Sequence, residues 1–383
     1  MRIAFATTTR ADWGILSPLA GELRSRGADV RILASGMHFM ESMGLTYREI
    51  EADGFMIDAA IRTPETPAQE AAACLTGFSD ALSRLRPDCL VCLGDRFEML
   101  AIAMAASLCR IPAVHIAGGA VSEGAFDDSF RHAITKLSSL HLCETPEYRR
   151  RVISMGEDEA KVFHTGALGV HNILNTVPLP LDELEKSIEF KLTPPTLLCT
   201  MHTATLDPRS PQRQLRELLD ALAEMPHLRV LFTHPNNDTD PALLIAMLNE
   251  FAARSPENYK VIPNLGRVRY ISVLHHVEAV IGNSSGGIVE VPSMHIPTLD
   301  IGIRQRGRAR AGSVIHADGD RESILGGLRK ILSTEVKAMA KDTANPYMLP
   351  DTPALMADII LDTDFSTILP KKFIDHNPWP PSI

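Results

Sequence analysis

The chain has 383 residues, a formal net charge of -9 from 47 acidic and 38 basic side chains, and 45% apolar residues. That length exceeds the roughly 250–300 residues at which a single core stops growing, so two domains are expected. The acidic balance excludes a general nucleic-acid or anionic-membrane surface but leaves room for a local basic pocket.

No apolar stretch is long and uncharged enough to span a bilayer. The opening MRIAFATTTRADWG enters a strand pattern at once, with no cleavable signal, so a cytoplasmic protein is expected. Residues 2–6 read as the first strand. They run into Thr7-Thr8-Thr9-Arg10-Ala11-Asp12, and helical apolar spacing follows over 15–23. This unit lacks G-x-G-x-x-G and is not a dinucleotide fingerprint. Its threonine hydroxyls, Arg10 and the next helix start can hold an anion; Arg10 can equally be a solvated loop charge. Residues 30–34 read as the second strand, ending at Ser35-Gly36-Met37-His38, where a lone His reads as structural. An amphipathic helix over 66–85 leads to the strand 89–93.

The stretch 92–135 organises the first half. The run 89–93 stops at Gly94-Asp95-Arg96, and the run 113–116 stops at Ala117-Gly118-Gly119. A third break, 124–128, opens a helical pattern carrying Arg131 and His132. Ligands of open parallel sheets bind outside the carboxyl ends of the strands. Asp95, Arg96, His115, Asp127, Asp128, Arg131 and His132 are therefore the site candidates here. One of Asp127 and Asp128 is expected to N-cap the helix, leaving the other for a different role. Strands over 140–143 and 162–165 follow. Cys89 and Cys92 have a metal-like spacing, but they lie in an apolar run without a second pair. The six cysteines read as buried free thiols, with no zinc site, metal or disulfide.

Strands alternating with helices imply a mostly parallel α/β sheet. Residues 170–195, with Pro178, Pro180, Pro194 and Pro195, break the alternation as a domain crossing would. The domains are drawn at 1–170 and 171–365, with a tail over 366–383 whose three prolines favour an extended course. In the second half, strand 196–200 ends at Met201-His202-Thr203 and strand 229–233 at His234-Pro235-Asn236. Strand 279–281 ends at Gly282-Asn283-Ser284-Ser285-Gly286-Gly287, and strand 298–301 ends before Arg304. Small residues at a strand-to-helix turn admit an anion to backbone N–H groups, so the Ser284-Ser285 loop reads as a phosphate site. Glu290, soon after it, suits a ribose diol. Arg304, in the loop Ile303-Arg304-Gln305-Arg306-Gly307-Arg308, suits a diphosphate. His202, His234 and Asn236 gain weight from sitting at strand ends of the same half.

The set TTTRAD, GDRFEML, GAFDDSFRHAITK, THPNND, GNSSGGIVEVP and GIRQRGR resembles the hydrolysing UDP-N-acetylglucosamine 2-epimerases of sialic- and legionaminic-acid type pathways. The motifs keep the family's order over nearly the whole chain. The resemblance implies a GT-B-like fold, two Rossmann-like domains with parallel sheets facing across a cleft, and UDP held mainly by the second. Arg10, His202, Asn236, Ser284, Ser285, Glu290 and Arg304 would contact UDP. Asp95, Arg96, Asp127 and His132 would lie near the sugar, with Asp95, Asp127 and His202 as the catalytic candidates. Arg131, Asp128 and His234 complete the expected substrate site. The substrate would be a UDP-2-acetamido sugar, with no cofactor, no nucleic-acid or membrane partner, and a homodimer or homotetramer as the assembly.

One segment departs from the family. It carries glutamate beside the glycine pair of H-x-x-G-G-x, before it, after it or both. Here the segment is His115-Ile116-Ala117-Gly118-Gly119-Ala120. A different group such as Glu123 can replace that glutamate, or activity can be impaired. A GT-B glycosyltransferase and a UDP-sugar-binding protein without turnover remain as alternatives.

Overall fold

In β1 (Arg2–Thr7), Ile3 and Phe5 pack on one face of a sheet and Ala4 and Ala6 on the other, all at 0% exposure. A strand covered on both sides needs an apolar residue at nearly every position, which explains why these strands read as unbroken runs. The computed structural model describes residues 1–41, 44–64, 66–235 and 241–376. It divides into two compact units. The first holds Met1–Ala120, Asp127–His171 and the chain from Leu349 onward; the second holds Val121–Phe126 and Asn172–Met348.

The first unit carries β1, β2 (Asp29–Ser35), β3 (Ile57–Ile61), β4 (Cys89–Leu93), β5 (Ala113–Ile116), β6 (Leu140–Cys143) and β7 (Val162–His164). They form one seven-stranded sheet in the order β3-β2-β1-β4-β5-β6-β7, with every pairing parallel. Helices Arg10–Ser25 and Thr352–Asp362 cover one face through Leu16, Leu19, Leu23, Met356 and Ile360. Helices Pro67–Leu85 and Phe97–Leu108 cover the other through Phe78, Leu82, Met99 and Ile102.

The second unit carries β8 (Thr196–Thr200), β9 (Arg229–Thr233), β10 (Tyr259–Ile262), β11 (Ala279–Gly282), β12 (Thr298–Ile301) and β13 (Val314–Ala317). Their order is β10-β9-β8-β11-β12-β13, again all parallel. Both sheets reverse strand order beside their first strand, β1 against β4 and β8 against β11. That reversal opens a crevice at the carboxyl ends, where ligands of doubly wound sheets bind. Among the described residues no helix is long and apolar enough to cross a membrane.

The units differ from the domains read in the sequence in two respects. The second ends at Met348 rather than 365, because the helix Thr352–Asp362 packs into the first unit's core. The hexapeptide Val121–Phe126 belongs to the second unit although the residues on either side belong to the first. The proline-rich crossing itself holds two helices, Leu168–Asn175 and Leu181–Ile188. Cys74, Cys89, Cys92, Cys143 and Cys199 are free and buried; Cys109 is free and half-buried.

Candidate active site

In the first unit the candidate charges gather around one guanidinium. The helix Asp127–Leu137 places Arg131 on its buried face, with a side chain only 2% exposed. Arg131 donates from Nη1 to Asp128 at 2.8 Å and to the Ala120 carbonyl at 3.1 Å, and from Nη2 to Asp95. A planar fork can serve three acceptors at fixed angles, which a lysine cannot. Asp128 also faces His132, whose Nε2 lies 3.4 Å away. Burial lowers the His132 pKa from its ordinary value. Asp127 and Asp128 both lie within the first helical turn. The expected N-cap is therefore not at either position; first-turn carboxylates favour the helix through its dipole instead.

Asp95 is fixed from behind as well. The Nε2–H of His115 donates to the carbonyl of Gly94 at 2.8 Å, and its Nδ1 lies 3.1 Å from the Thr135 hydroxyl. Burial pushes the His115 ring down to about 3, so it is neutral and serves as a spacer between β5, the Gly94 turn and the helix. Arg96 is gripped by Glu98, with contacts of 3.1 and 3.2 Å from Nε and 2.7 Å from Nη2. Glu98 is fully buried. The sequence reading missed this acid, although it is the one charge in the apolar helix FEMLAIAMAASL.

The threonines at the end of β1 are held by partners within the first unit. Thr8 donates to Asp12 through its amide (3.0 Å) and hydroxyl (2.8 Å), and Thr9 caps the helix in a reciprocal box with Asp12. Thr7 meets His38 Nε2 at 2.8 Å, and His38 Nδ1 meets Thr46 at 3.0 Å, which makes His38 structural. Arg10 opens the helix and lies 3.7 Å from Glu49.

In the second unit Asn283 ties three strand-end loops together. Its side chain accepts from the His202 amide (2.7 Å) and donates to the His202 carbonyl (2.9 Å). Its own carbonyl accepts from Arg304 Nη1 (3.1 Å) and Gln305 Nε2 (3.0 Å). The loops after β8, β11 and β12 are thus held in one frame. Gly282 permits it: a Cβ there would collide with the Thr200 carbonyl, and its φ is +123. Ser284 and Ser285 follow, but the helix they open, Gly286–Val289, has only four residues and passes into a 3-10 turn, Val291–Met294. The helix start expected behind the phosphate loop is therefore a short one. Backbone N–H groups and Arg304 remain as anion donors. Glu290 closes that helix and accepts a hydrogen bond from the Tyr270 hydroxyl, whose pKa is raised by its desolvation first and by the Glu290 charge second. Tyr270 carries no local motif and was not legible in the sequence.

His202 is pushed down to about 3 by burial and by the Arg304 charge, so it offers hydrogen bonds rather than a cation. His234 follows β9 and is lowered by burial; Asn236 lies outside the described residues. The hexapeptide Val121–Phe126 is sewn to the Arg304 loop. The Glu123 amide donates to the Arg306 carbonyl (3.0 Å), and the Leu206 amide to the Gly124 carbonyl (3.2 Å). A Cβ on Gly124 would lie 2.5 Å from the Ile303 carbonyl oxygen, so only glycine permits this approach. Among the described residues no group of three or more His, Cys, Asp or Glu side chains is arranged to hold a metal ion.

Three rings, His38 and His115 buried and His202 half-buried, set an acid limit on stability. Burial holds His38 at about 4 and His115 and His202 at about 3. The unfolded chain binds these protons near pH 6.5 while the folded chain refuses them. Stability is therefore full above that pH and declines as pH falls towards the folded values. Each ring contributes about 1.4 kcal/mol per pH unit once below its unfolded pKa. Urea midpoints should fall steeply between pH 6.5 and 4.5; a flat profile over that range would show that the rings titrate normally.

Residues 21–361 match the sequence model of the family described as UDP-N-acetylglucosamine 2-epimerase. The chain is 35% identical over 382 residues to a Campylobacter jejuni protein named GDP/UDP-N,N'-diacetylbacillosamine 2-epimerase (hydrolyzing), covering 98% of this chain and 99% of that one. It is 33% identical over 339 residues to a Legionella pneumophila protein named UDP-N,N'-diacetylbacillosamine 2-epimerase (hydrolyzing), covering 87% and 89%. Its fold is similar to the crystal structure of UDP-GlcNAc 2-epimerase from Neisseria meningitidis bound to UDP-GlcNAc, with a TM-score of 0.81 at 16% identity over 95% of this chain and 100% of that one.

Proposed function

The chain belongs to the UDP-N-acetylglucosamine 2-epimerase family, and from that membership we propose that it converts a UDP-2-acetamido sugar to the free manno-configured sugar and UDP. A 2,4-diacetamido-6-deoxy sugar is the favoured substrate, because the relatives at 35% and 33% identity carry names of that specificity. The reaction runs in two steps. A base removes the proton on sugar C2 while the C1–O bond to UDP breaks, giving a glycal. Water then adds to C1, and a proton returns to C2 from the opposite face.

The observation that carries this reading is the Asp95–Arg131–Asp128–His132 network, which sets carboxylates and a neutral imidazole beside a strand end. Proton transfer at carbon needs such groups held at fixed geometry. Asp95 and Asp127 take the acid–base roles. Arg96, Asp128 and His132 contact the sugar, and Arg131 holds Asp95 and Asp128. Arg304, Ser284 and Ser285 receive the diphosphate, and Glu290, oriented by Tyr270, receives the ribose. His202, Arg10, His234 and Asn236 complete the UDP contacts. The neutral His202 ring suits a donor to the departing phosphate, since a developing charge strengthens that bond.

The test uses the purified chain with UDP-N-acetylglucosamine and with UDP-2,4-diacetamido-2,4,6-trideoxyglucose, without any acceptor, in deuterium oxide. Release of UDP together with an epimerised sugar carrying deuterium at C2 is expected, faster with the second substrate. Release that strictly requires an acceptor would identify a glycosyltransferase instead, and UDP-sugar binding without turnover would identify a binding protein.

A further inference from the structure

We propose that residues 371–376 of the C-terminal segment are a strap that positions the helix Asp127–Leu137 for catalysis, with Lys371 as its key positioning residue. The inference rests on the acid–base role assigned above to that helix. Lys371 is more than 230 positions from the helix in sequence, yet its Nζ donates to the carbonyls of Thr135 (3.1 Å), Lys136 (2.9 Å) and Ser138 (2.6 Å). These carbonyls lie at and just past the helix carboxyl end, where the Thr135 carbonyl also accepts from the Ser138 amide (3.2 Å), and a cation there is favoured by the helix dipole.

The same ammonium lies 2.7 Å from Glu157, which is 2% exposed and also meets Lys136 at 2.6 Å and His141 at 3.0 Å. Further along, the Ile374 amide donates to the Gly156 carbonyl (3.1 Å), and His376 Nε2 lies 2.8 Å from the Glu157 carbonyl. The Phe373 ring lies over Gly156, with the Lys136 ammonium 4.8 Å from its centroid.

The strap reaches the site through one residue. Thr135 gives its carbonyl to Lys371 and its hydroxyl to His115, and His115 holds the Gly94 carbonyl directly before Asp95. Four residues earlier on the same helix, Arg131 binds Asp95 and Asp128. A helix of 11 residues moves as a rod, so a slip at its carboxyl end displaces Asp127, Arg131 and His132 together. Displacements of about 1 Å at reacting groups cost rates on the order of 100-fold.

The test compares Lys371→Met with Lys372→Met in the full chain. Both remove one positive charge, but Lys372 is exposed. Glu157 keeps Lys136 and His141 in the first variant, so its buried carboxylate is not left unpaired. Turnover of Lys371→Met should fall roughly tenfold or more, with KM and UDP affinity within about twofold and Lys372→Met unchanged. Faster amide exchange should be confined to 127–137 and 94–96. Should Lys371→Met fold poorly, His376→Ala removes one strap contact and should move turnover and exchange in the same direction by less. Unchanged turnover with unchanged exchange, or exchange rising across the whole unit, would overturn the strap. If the parent turns over neither sugar, the functional reading fails by itself. Exchange alone then decides: a rise confined to those two segments supports the strap, and none refutes it.

Discussion

Ala120→Glu is expected to raise turnover by about 10²–10⁴-fold, the contribution of a positioned acid or base, without weakening UDP binding. The reason is local. Ala120 is 1% exposed, directly follows the Gly118-Gly119 turn, and gives its carbonyl to Arg131 Nη1 at 3.1 Å. A carboxylate starting from that position has a buried guanidinium within reach, which offsets much of its desolvation. Position 117, directly after β5, is less suited. Ala117 has φ +67, in the left-handed region, and packs partly against an apolar cluster. Alanine already bears the cost of that conformation, but a glutamate there would set its carboxylate against the apolar cluster, where desolvation is costly. Ala117→Glu should therefore be neutral or harmful. Single-turnover assays of both variants on both sugars measure this. If neither improves on the parent, and Asp127→Asn abolishes turnover, then Glu123, Asp127 or Asp128 already performs the transfer and the chain is not impaired.

Arg131→Met should cost about 2–3 kcal/mol of stability and most of the turnover. Breaking a fully buried ion pair by removing one partner costs about 3–5 kcal/mol. The figure here is smaller because Asp95 and Asp128 are 25% and 27% exposed, and water can reach them. The two carboxylates would face each other without the cation, and the Ala120 carbonyl would lose its donor. Arg131→Lys should recover little, since a point charge cannot fork to three acceptors. UDP affinity should hold, because the loops proposed for UDP belong to the other unit. Urea unfolding and calorimetry with UDP measure the two effects. A loss below about 0.5 kcal/mol, the range of ordinary surface substitutions, would mean that the pair is effectively solvated.

The interior strands of both sheets were legible in the sequence by itself. The bounds of β4, β5, β6, β8, β9 and β12 coincide with the runs read from the sequence, because a strand buried on both faces is apolar at most positions. The strands that escaped the reading, β3, β10 and β13, are all sheet edges. Each has a neighbour on one side only and carries half-exposed or exposed positions such as Asp58, Lys260 and His316, which interrupt the apolar signal. The charges at strand ends were legible for a related reason, since an abrupt stop after an apolar run marks a carboxyl-end loop. Their partners were not. Arg131 finds Asp95 36 residues away, Asn283 finds His202 81 away, and Lys371 finds Ser138 233 away. Glu98 and Tyr270 acquire meaning only from the Arg96 and Glu290 that they hold. Periodicity reports which face of an element is buried. Which polar groups meet there depends on how the elements stack, and only tertiary structure decides that.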